Sequence, residues 1–144
     1  MSAAETPDGA VLGPFGAVAV KEGETLIISS YLLTQSTAVD NTIVGVAAQS
    51  SIDDAGAALT LTSGDFWPYY PLGCGKTVNA LSLTGQTWRY GAIVYNCQSA
   101  SADGRVETSS SNSATKIGRY VGPDNVLTSG ETLIRVQLCF DPIG

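Results

Sequence analysis

The sequence contains no histidine, and so lacks the side chain that most often acts as a general base near neutral pH. Ser-His and Cys-His nucleophile pairs are excluded for the same reason. The only adjacent acidic pair, Asp53 and Asp54, lies in an Asp-Asp-Ala-Gly turn, where aspartates typically hydrogen-bond their own backbone. We therefore predict that the chain has no catalytic centre and is not an enzyme.

Charged residues are also scarce, at 14% of the chain against roughly 25% in average proteins. The net charge is −6 and the basic residues are scattered singly, which argues against nucleic acid as a partner. No apolar run approaches the roughly 18 residues that span a bilayer, and residues 1–8 lack the basic and apolar regions of a signal peptide. We expect no membrane partner and synthesis in a cytoplasm.

Cysteine is rare as well. Cys74, Cys97 and Cys139 are far apart and form no metal-binding spacing, so we predict reduced thiols, no metal site and no cofactor.

The segment Gly73–Thr77 (GCGKT) resembles the end of a phosphate-binding loop. The glycine that such a loop requires upstream is missing, because positions 69 and 70 are tyrosines. We therefore reject a phosphate site.

What the sequence does contain is a series of short β-prone segments separated by turn residues. They cover residues 17–20, 23–33, 42–49, 58–62, 80–84, 91–97, 105–108, 115–121 and 130–140, with Asp103-Gly104 as a hairpin turn and one short helical turn possible within 121–127. This spacing predicts an all-β fold, a small β-barrel or β-tulip-like domain of short antiparallel strands with an extended N-terminal arm. We place the arm at residues 1–16, which are rich in Ala, Gly and Pro, and a single barrel domain at residues 17–144.

An aromatic and proline-rich segment at about residues 64–78 interrupts this rhythm. Pro68 and Pro71 argue against a central strand and favour a loop or an edge segment. Aromatic residues are enriched at protein interfaces, although Trp88 and Tyr95 are expected mostly in the core. The candidate partner-binding residues, from the arm and from this loop, are Pro14, Phe15, Phe66, Trp67, Tyr69 and Tyr70. For Trp67, Tyr69 and Tyr70 the sequence leaves core and contact surface equally open.

The pentapeptide Gly-Glu-Thr-Leu-Ile occurs twice, at Gly23–Ile27 and Gly130–Ile134. In addition, residues 42–46, followed by a turn at Gly56 and a strand at Leu59–Leu61, match residues 115–119, followed by the turn at Gly130 and a strand at Leu133–Val136. Two interpretations remain open. Either one strand-turn-strand unit is used twice, or β-hairpins converge on such strings because their turns need glycine.

Several longer segments form a recognisable series. In the second half they are Trp88–Asn96, Asp103–Thr108, Thr115–Val121 and Gly130–Leu138, and in the first half Ala17–Leu26 and Ile43–Ala48. Together these segments resemble the capsid decoration, or cement, proteins of tailed viruses. Ala92 departs from that family, which tends to have an acidic or polar residue there, and the segment 66–76 looks like an addition.

The resemblance implies a small β-barrel protein on the exterior of the virion. Such a protein binds the outside of the assembled capsid and cements neighbouring major capsid subunits. Its expected partners are the major capsid protein and itself, as a homotrimer, and it would be made in the host cytoplasm.

Two alternatives stay open. The chain could be another virion β module, such as a head-fibre base or a tail or receptor-binding component, with Phe66–Leu72 as a glycan contact. A small-molecule or enzymatic barrel would instead need a pocket, for which Trp88, Tyr90 and Cys97 are the candidate lining residues.

Overall fold

The computed structural model describes residues 6–37, 42–97, 103–109, 115–127 and 129–138. Among these the helical content is a three-residue 3-10 turn at Leu72–Cys74. The strands in chain order are β1 (Val11–Pro14), β2 (Thr25–Ser29), β3 (Leu32–Gln35), β4 (Gly45–Ala47), β5 (Phe66–Pro71), β6 (Thr77–Ser82), β7 (Ile93–Asn96), β8 (Val106–Glu107), β9 (Lys116–Tyr120), β10 (Asn125–Val126) and β11 (Thr132–Leu138). The predicted all-β fold is confirmed.

The strands form two curled sheets, which we name the first lobe (β1–β5) and the second lobe (β6–β11). The first lobe has the order β1-β5-β4-β2-β3, and a parallel bridge between Phe15 and Leu33 brings its two outer strands together. The second lobe has the order β10-β11-β6-β8-β7-β9, and β11 also pairs with β9, which closes a five-stranded ring with β10 outside it. All strand pairs are antiparallel except β6–β8.

Each lobe has its own hydrophobic core. The first core contains the buried residues Phe15, Val20, Leu26, Leu33, Ala47, Leu61 and Trp67. The second contains Ile43, Val46, Val78, Ala80, Val94, Val106, Ile117, Ile134, Val136 and Leu138. Ile43 and Val46 belong to the first half of the chain but pack in the second core, so the outer face of β4 joins the lobes.

The N-terminal arm is shorter than predicted. Residues 1–5 lie outside the described residues, but Val11–Pro14 form β1, which pairs with β5, and Phe15 is fully buried. The partners of this segment lie about twenty and fifty residues further along the chain, at Leu33 and Asp65. The barrel therefore begins at about residue 11, and the assignment of residues 11–16 to an arm is wrong.

The proline-rich segment is a strand and not a loop. β5 lies between β1 and β4, with Pro68 opposite Leu12 and Pro71 opposite Gly45. Pro68 accepts a hydrogen bond from the N–H of Ala48, just beyond the end of β4, so its own nitrogen faces that end. Leu72 donates to the Val44 carbonyl on the β4 side, so the nitrogen of Pro71, one residue earlier, points to the other side, where β1 has not yet begun. Both missing N–H groups thus fall where the neighbouring strand ends, and they cost little pairing.

The repeated pentapeptides share a turn but not a strand pairing. Gly23 and Gly130 both have φ +88°, a conformation that glycine adopts without strain, and each leads into a strand, β2 or β11. Gly45 is opposite Leu26, within the first copy, whereas Gly118 is opposite Leu138, beyond the second. The similarity therefore reflects a common turn requirement at these two positions.

Candidate functional site

Two of the predicted partner-binding residues lie together on the outer face of the first lobe. Pro14 of β1 is directly opposite Phe66 of β5, and opposed residues of antiparallel strands point to the same side of a sheet. Leu12, two residues before Pro14, lies on that side too. Phe66 is 58% exposed and Leu12 is 51% exposed, so together with half-buried Pro14 they form an apolar surface that faces solvent. We name Leu12, Pro14 and Phe66 the outer patch.

Two other predicted contact residues point inward and are not accessible to a partner. Phe15 and Trp67 are fully buried in the first core. The Trp67 indole N–H donates a 2.7 Å hydrogen bond to the Gln49 carbonyl, which satisfies its one polar atom. Their assignment to the contact surface is therefore wrong for this structure, because strand alternation turns residue 67 inward when residue 66 points outward.

Tyr69 and Tyr70 are half-buried on opposite faces of β5. Tyr69 packs against the first core and Tyr70 against the second. Burial, with a further contribution from the nearby charge of Glu22, raises the pKa of the Tyr70 phenol above its usual value. Tyr69 and Tyr70 therefore connect the two cores, while Phe66, the first residue of the same strand, is exposed to solvent.

The outer patch belongs to a lobe whose strands contain no Asp, Glu, Lys or Arg. Large apolar side chains are exposed on its strands β1, β2 and β5 and in the turn between β2 and β3. They are Val11, Leu12, Ile28, Tyr31 and Phe66. The strands themselves would therefore bring no charged side chain into a protein contact, and Asp65, directly before Phe66, has its carboxylate bonded to the Thr62 N–H.

A cluster of charged side chains lies where the lobes meet, close to both pentapeptides. Glu24, from the first copy, is buried and accepts hydrogen bonds from the Lys21 N–H at 2.7 Å and from the Gln35 amide. Arg105 approaches Glu24 at 3.5 Å and makes a 2.6 Å ion pair with Glu131, from the second copy. One guanidinium therefore links the glutamates of both pentapeptides, a contact that short-range sequence patterns do not predict.

The pKa values of the two glutamates shift in opposite directions in this environment. Burial raises the pKa of Glu24 above its usual value, although the Lys21 and Gln35 hydrogen bonds and the charge of Arg105 oppose that change. Partial burial also acts to raise the pKa of Glu131, but Arg105 and Lys21 together outweigh it and hold that pKa below its usual value. The cluster is a structural junction, since its oxygens are occupied by groups of the chain itself.

A cleft of about 380 Å³ opens beside this junction. Its apolar wall includes Leu81 and Leu133, and its polar rim includes Lys21, Ser51 and Glu131. These polar groups already bind one another or the backbone: Lys21 pairs with Glu131 at 3.3 Å, and the Ser51 hydroxyl donates to the Leu59 carbonyl. The cleft therefore presents little that would recognise a polar ligand.

The remaining candidates do not assemble into a chemical site. Trp88 is half-buried against the second core and stacks on Tyr120 at 5.9 Å, Cys97 is buried, and Tyr90 is 82% exposed. These residues therefore do not line a common enclosed pocket. Within the described ranges, no group of three or more acidic or thiol side chains is placed to hold a metal ion.

The described part of the chain also contains no helix with the length and apolar character to cross a membrane. A scan against protein-family models finds no matching family, and a search of curated proteins finds no matching sequence.

Proposed function

We propose that this chain is a virion structural protein that binds the outside of an assembled capsid and cements neighbouring major capsid subunits. The observation that carries the proposal is the outer patch of Leu12, Pro14 and Phe66, which faces solvent on a lobe whose strands carry no charged side chain. Exposed apolar area of this kind marks protein contact surfaces. The resemblance of both halves of the sequence to decoration proteins supplies the class of partner.

Such a protein would stabilise the shell by mass action. A ligand that binds assembled capsid and not free subunits shifts the equilibrium toward the assembled form. Individual contacts can be modest, because a homotrimer on a repeating lattice gains avidity from simultaneous engagement. The outer patch suits this role, since its three side chains are apolar and carry no charge to desolvate.

The alternative as a glycan-binding virion module loses its main support. It assigned the glycan contact to Phe66–Leu72, and Trp67, the largest aromatic side chain of that segment, is buried in the first core. The small-molecule alternative is likewise weakened, because Tyr90 is exposed and the cleft beside Glu131 has its polar groups engaged. Capsid attachment remains the function that the geometry supports best.

The test is co-sedimentation of the purified chain with empty shells of the major capsid protein encoded in the same genome. Phe66→Ser, on the outer patch, is expected to weaken binding by about tenfold or more, as for an anchor residue at an interface. Val126→Ser is the matched control, since it removes an exposed apolar side chain from the second lobe. Shells carrying the wild-type chain should also resist heating better than bare shells.

Failure of the wild-type chain to co-sediment with these shells would disprove the proposal. Binding that Val126→Ser weakens as much as Phe66→Ser would keep the function but move the contact surface away from the outer patch. Circular dichroism melts of both variants, expected to match the wild type, exclude unfolding as the cause.

A further inference from the structure

The turn between β2 and β3 has a backbone conformation that its residues do not favour. The two strands are joined by a two-residue turn, Ser30-Tyr31, with Ser29 opposite Leu32. Both turn residues have positive φ, +51° for Ser30 and +69° for Tyr31. This is the pattern of a type I′ hairpin turn, for which Asn-Gly is the preferred sequence.

The side chain of Tyr31 is not held in this position by packing. It is 94% exposed, so the ring gains little from the rest of the chain in return for the strained backbone. Positive φ is costly for a residue with a Cβ, and residues kept in such conformations concentrate at functional sites. A tyrosine here would therefore be explained by a contact outside the chain.

The surroundings of Tyr31 indicate what kind of contact this is. Residues 25–37 contain no charged side chain, in a chain of net charge −6. Ile28, opposite Leu33 near the turn, is also exposed. Tyrosine and serine side by side are typical of protein-recognition loops, where tyrosine supplies contact area and serine supplies adaptable hydrogen bonds. An acidic chain with no basic residue in this hairpin has nothing to attract an anionic membrane.

The hairpin also adjoins the outer patch. The bridge between Phe15 and Leu33 places β3 beside β1, which carries Leu12 and Pro14. The tip therefore lies at the start of β3, the strand next to the one that carries Leu12 and Pro14.

We propose that the Ser30-Tyr31 tip is a protein-recognition site at which the Tyr31 ring inserts into an uncharged, apolar pocket of the partner, with its hydroxyl hydrogen-bonded to an acceptor there. The inference rests on the proposed function for the identity of the partner, the major capsid subunit. Tyr31 is the anchor, and the outer patch extends the contact.

The decisive variant is Ser30→Asn/Tyr31→Gly, which gives the turn its preferred sequence and removes the ring. The melting temperature is expected to rise by about 3 °C or more, because the strain is relieved. Binding to empty shells of the same-genome major capsid protein is expected to weaken by about 30-fold or more, the loss typical of a central anchor. Tyr31→Phe, which keeps the ring, should retain most of the binding.

Tyr90→Ala is the matched control. Tyr90 is a second exposed tyrosine, in the second lobe, and the residue after it in its turn is Gly91, with φ +86°. We expect neither a rise in melting temperature nor a change in shell binding for this variant.

The outcomes are separable. Wild-type binding that the double variant preserves would overturn the inference and leave the proposed function intact, whereas absence of wild-type binding would overturn both. An unchanged melting temperature would refute the strain on which the inference depends. Binding of the wild type, but not the double variant, to phosphatidylcholine vesicles would assign the tip to lipid and overturn the protein pocket.

Discussion

The two lobes solve the same folding problem with different surfaces. Both curl a small antiparallel sheet around a core of aliphatic and aromatic residues. The strands of the second lobe carry Glu107, Lys116, Arg119 and Arg135 at partly or fully exposed positions, whereas those of the first lobe carry no charge. The absence of charge from the strands of the first lobe is the difference on which the proposed contact surface rests.

The lobes also differ in how they close. The second lobe closes through a ladder between β9 and β11, in which Leu138 is opposite Gly118. The first closes through the bridge between Phe15 and Leu33. The second lobe is therefore the more firmly built, and the first carries the surface that we assign to binding.

The largest effect on stability is expected from Gly118→Ala, which disrupts the β9–β11 pairing that closes the second lobe. A Cβ at this position would meet the Gln137 carbonyl oxygen of β11, and would lie 2.9 Å from its carbon. Backbone cannot yield as a flexible side chain can, so we expect a loss of more than about 3 kcal/mol in the free energy of unfolding. Urea denaturation followed by circular dichroism measures this loss.

Gly16→Ala is the control for that substitution. The nearest atom to a Cβ at Gly16 is the Leu33 carbonyl oxygen at 3.8 Å, an ordinary contact. The free energy of unfolding of Gly16→Ala should differ from that of the wild type by no more than about 0.5 kcal/mol. If the two substitutions changed the free energy of unfolding equally, the close β9–β11 pairing at Gly118 would not be the cause of the loss.

The next largest effect is expected at the junction between the lobes. Arg105→Met leaves buried Glu24 and half-buried Glu131 without their shared partner, and such a loss costs about 3 kcal/mol or more. Trp67 and Trp88 report on the first and second core, respectively. In a Trp88→Phe background, Trp67 fluorescence reports on the first lobe and circular dichroism reports on both lobes. The unfolding transitions measured by the two signals should coincide, and adding Arg105→Met should separate them. Coincident transitions in the variant would show that the junction does not couple the lobes.

Acidification should reduce the cost of Arg105→Met. The pKa of Glu24 lies above its usual value, so protonation of Glu24 favours the folded state at low pH, and that contribution is lost as pH rises through the folded pKa. The pKa of Glu131 lies below its usual value, so its stabilisation is present at neutral pH and is lost as pH falls through the folded pKa. Because the charge of Arg105 acts to lower the pKa of Glu24, that pKa lies higher still in Arg105→Met, and protonation of Glu24 stabilises the variant more than the wild type. Both effects therefore narrow the difference in the free energy of unfolding between variant and wild type as the pH falls from 7 to about 4. Urea titrations across this range test it, and a gap that widens contradicts it.

The smallest effect is expected from Lys76→Met. This lysine pairs with Asp8 at 3.0 Å, but both side chains are largely solvated. An exposed pair contributes little, so the free energy of unfolding should change by no more than about 0.5 kcal/mol. A loss as large as that of Arg105→Met would remove the distinction between the buried junction and the surface.

Strands with regular alternation or clear turn residues could be predicted. The segments 91–97, 105–108, 115–121 and 130–140 contain β7, β8, β9 and β11, and β7 pairs with β8 as the Asp103-Gly104 turn indicated. The segment 23–33 was predicted as continuous but contains the hairpin at Ser30-Tyr31, because that turn lacks the expected Asn or Gly. The segment 58–62 contributes only isolated bridges, and residues 121–127 contain β10 instead of a helical turn.

The candidate site was predicted only in part. Pro14 and Phe66 were selected from the sequence and lie opposite each other, while Phe15 and Trp67 were selected with them and are buried. Leu12 and Tyr31 were missed. A single aliphatic residue in a Gly- and Pro-rich segment gives no signal of its own, and the strain at Tyr31 is visible only in the backbone.

Local chemistry was enough to establish the all-β architecture, the absence of histidine chemistry and the low charge of the first lobe, because each follows from residue type and short-range spacing. The folded chain decided which aromatic residues face solvent, how Pro68 and Pro71 fit a paired strand, and that Glu24 and Glu131 share Arg105. Those outcomes depend on contacts between residues far apart in the chain. Strand register sets these contacts, and short-range patterns do not determine strand register.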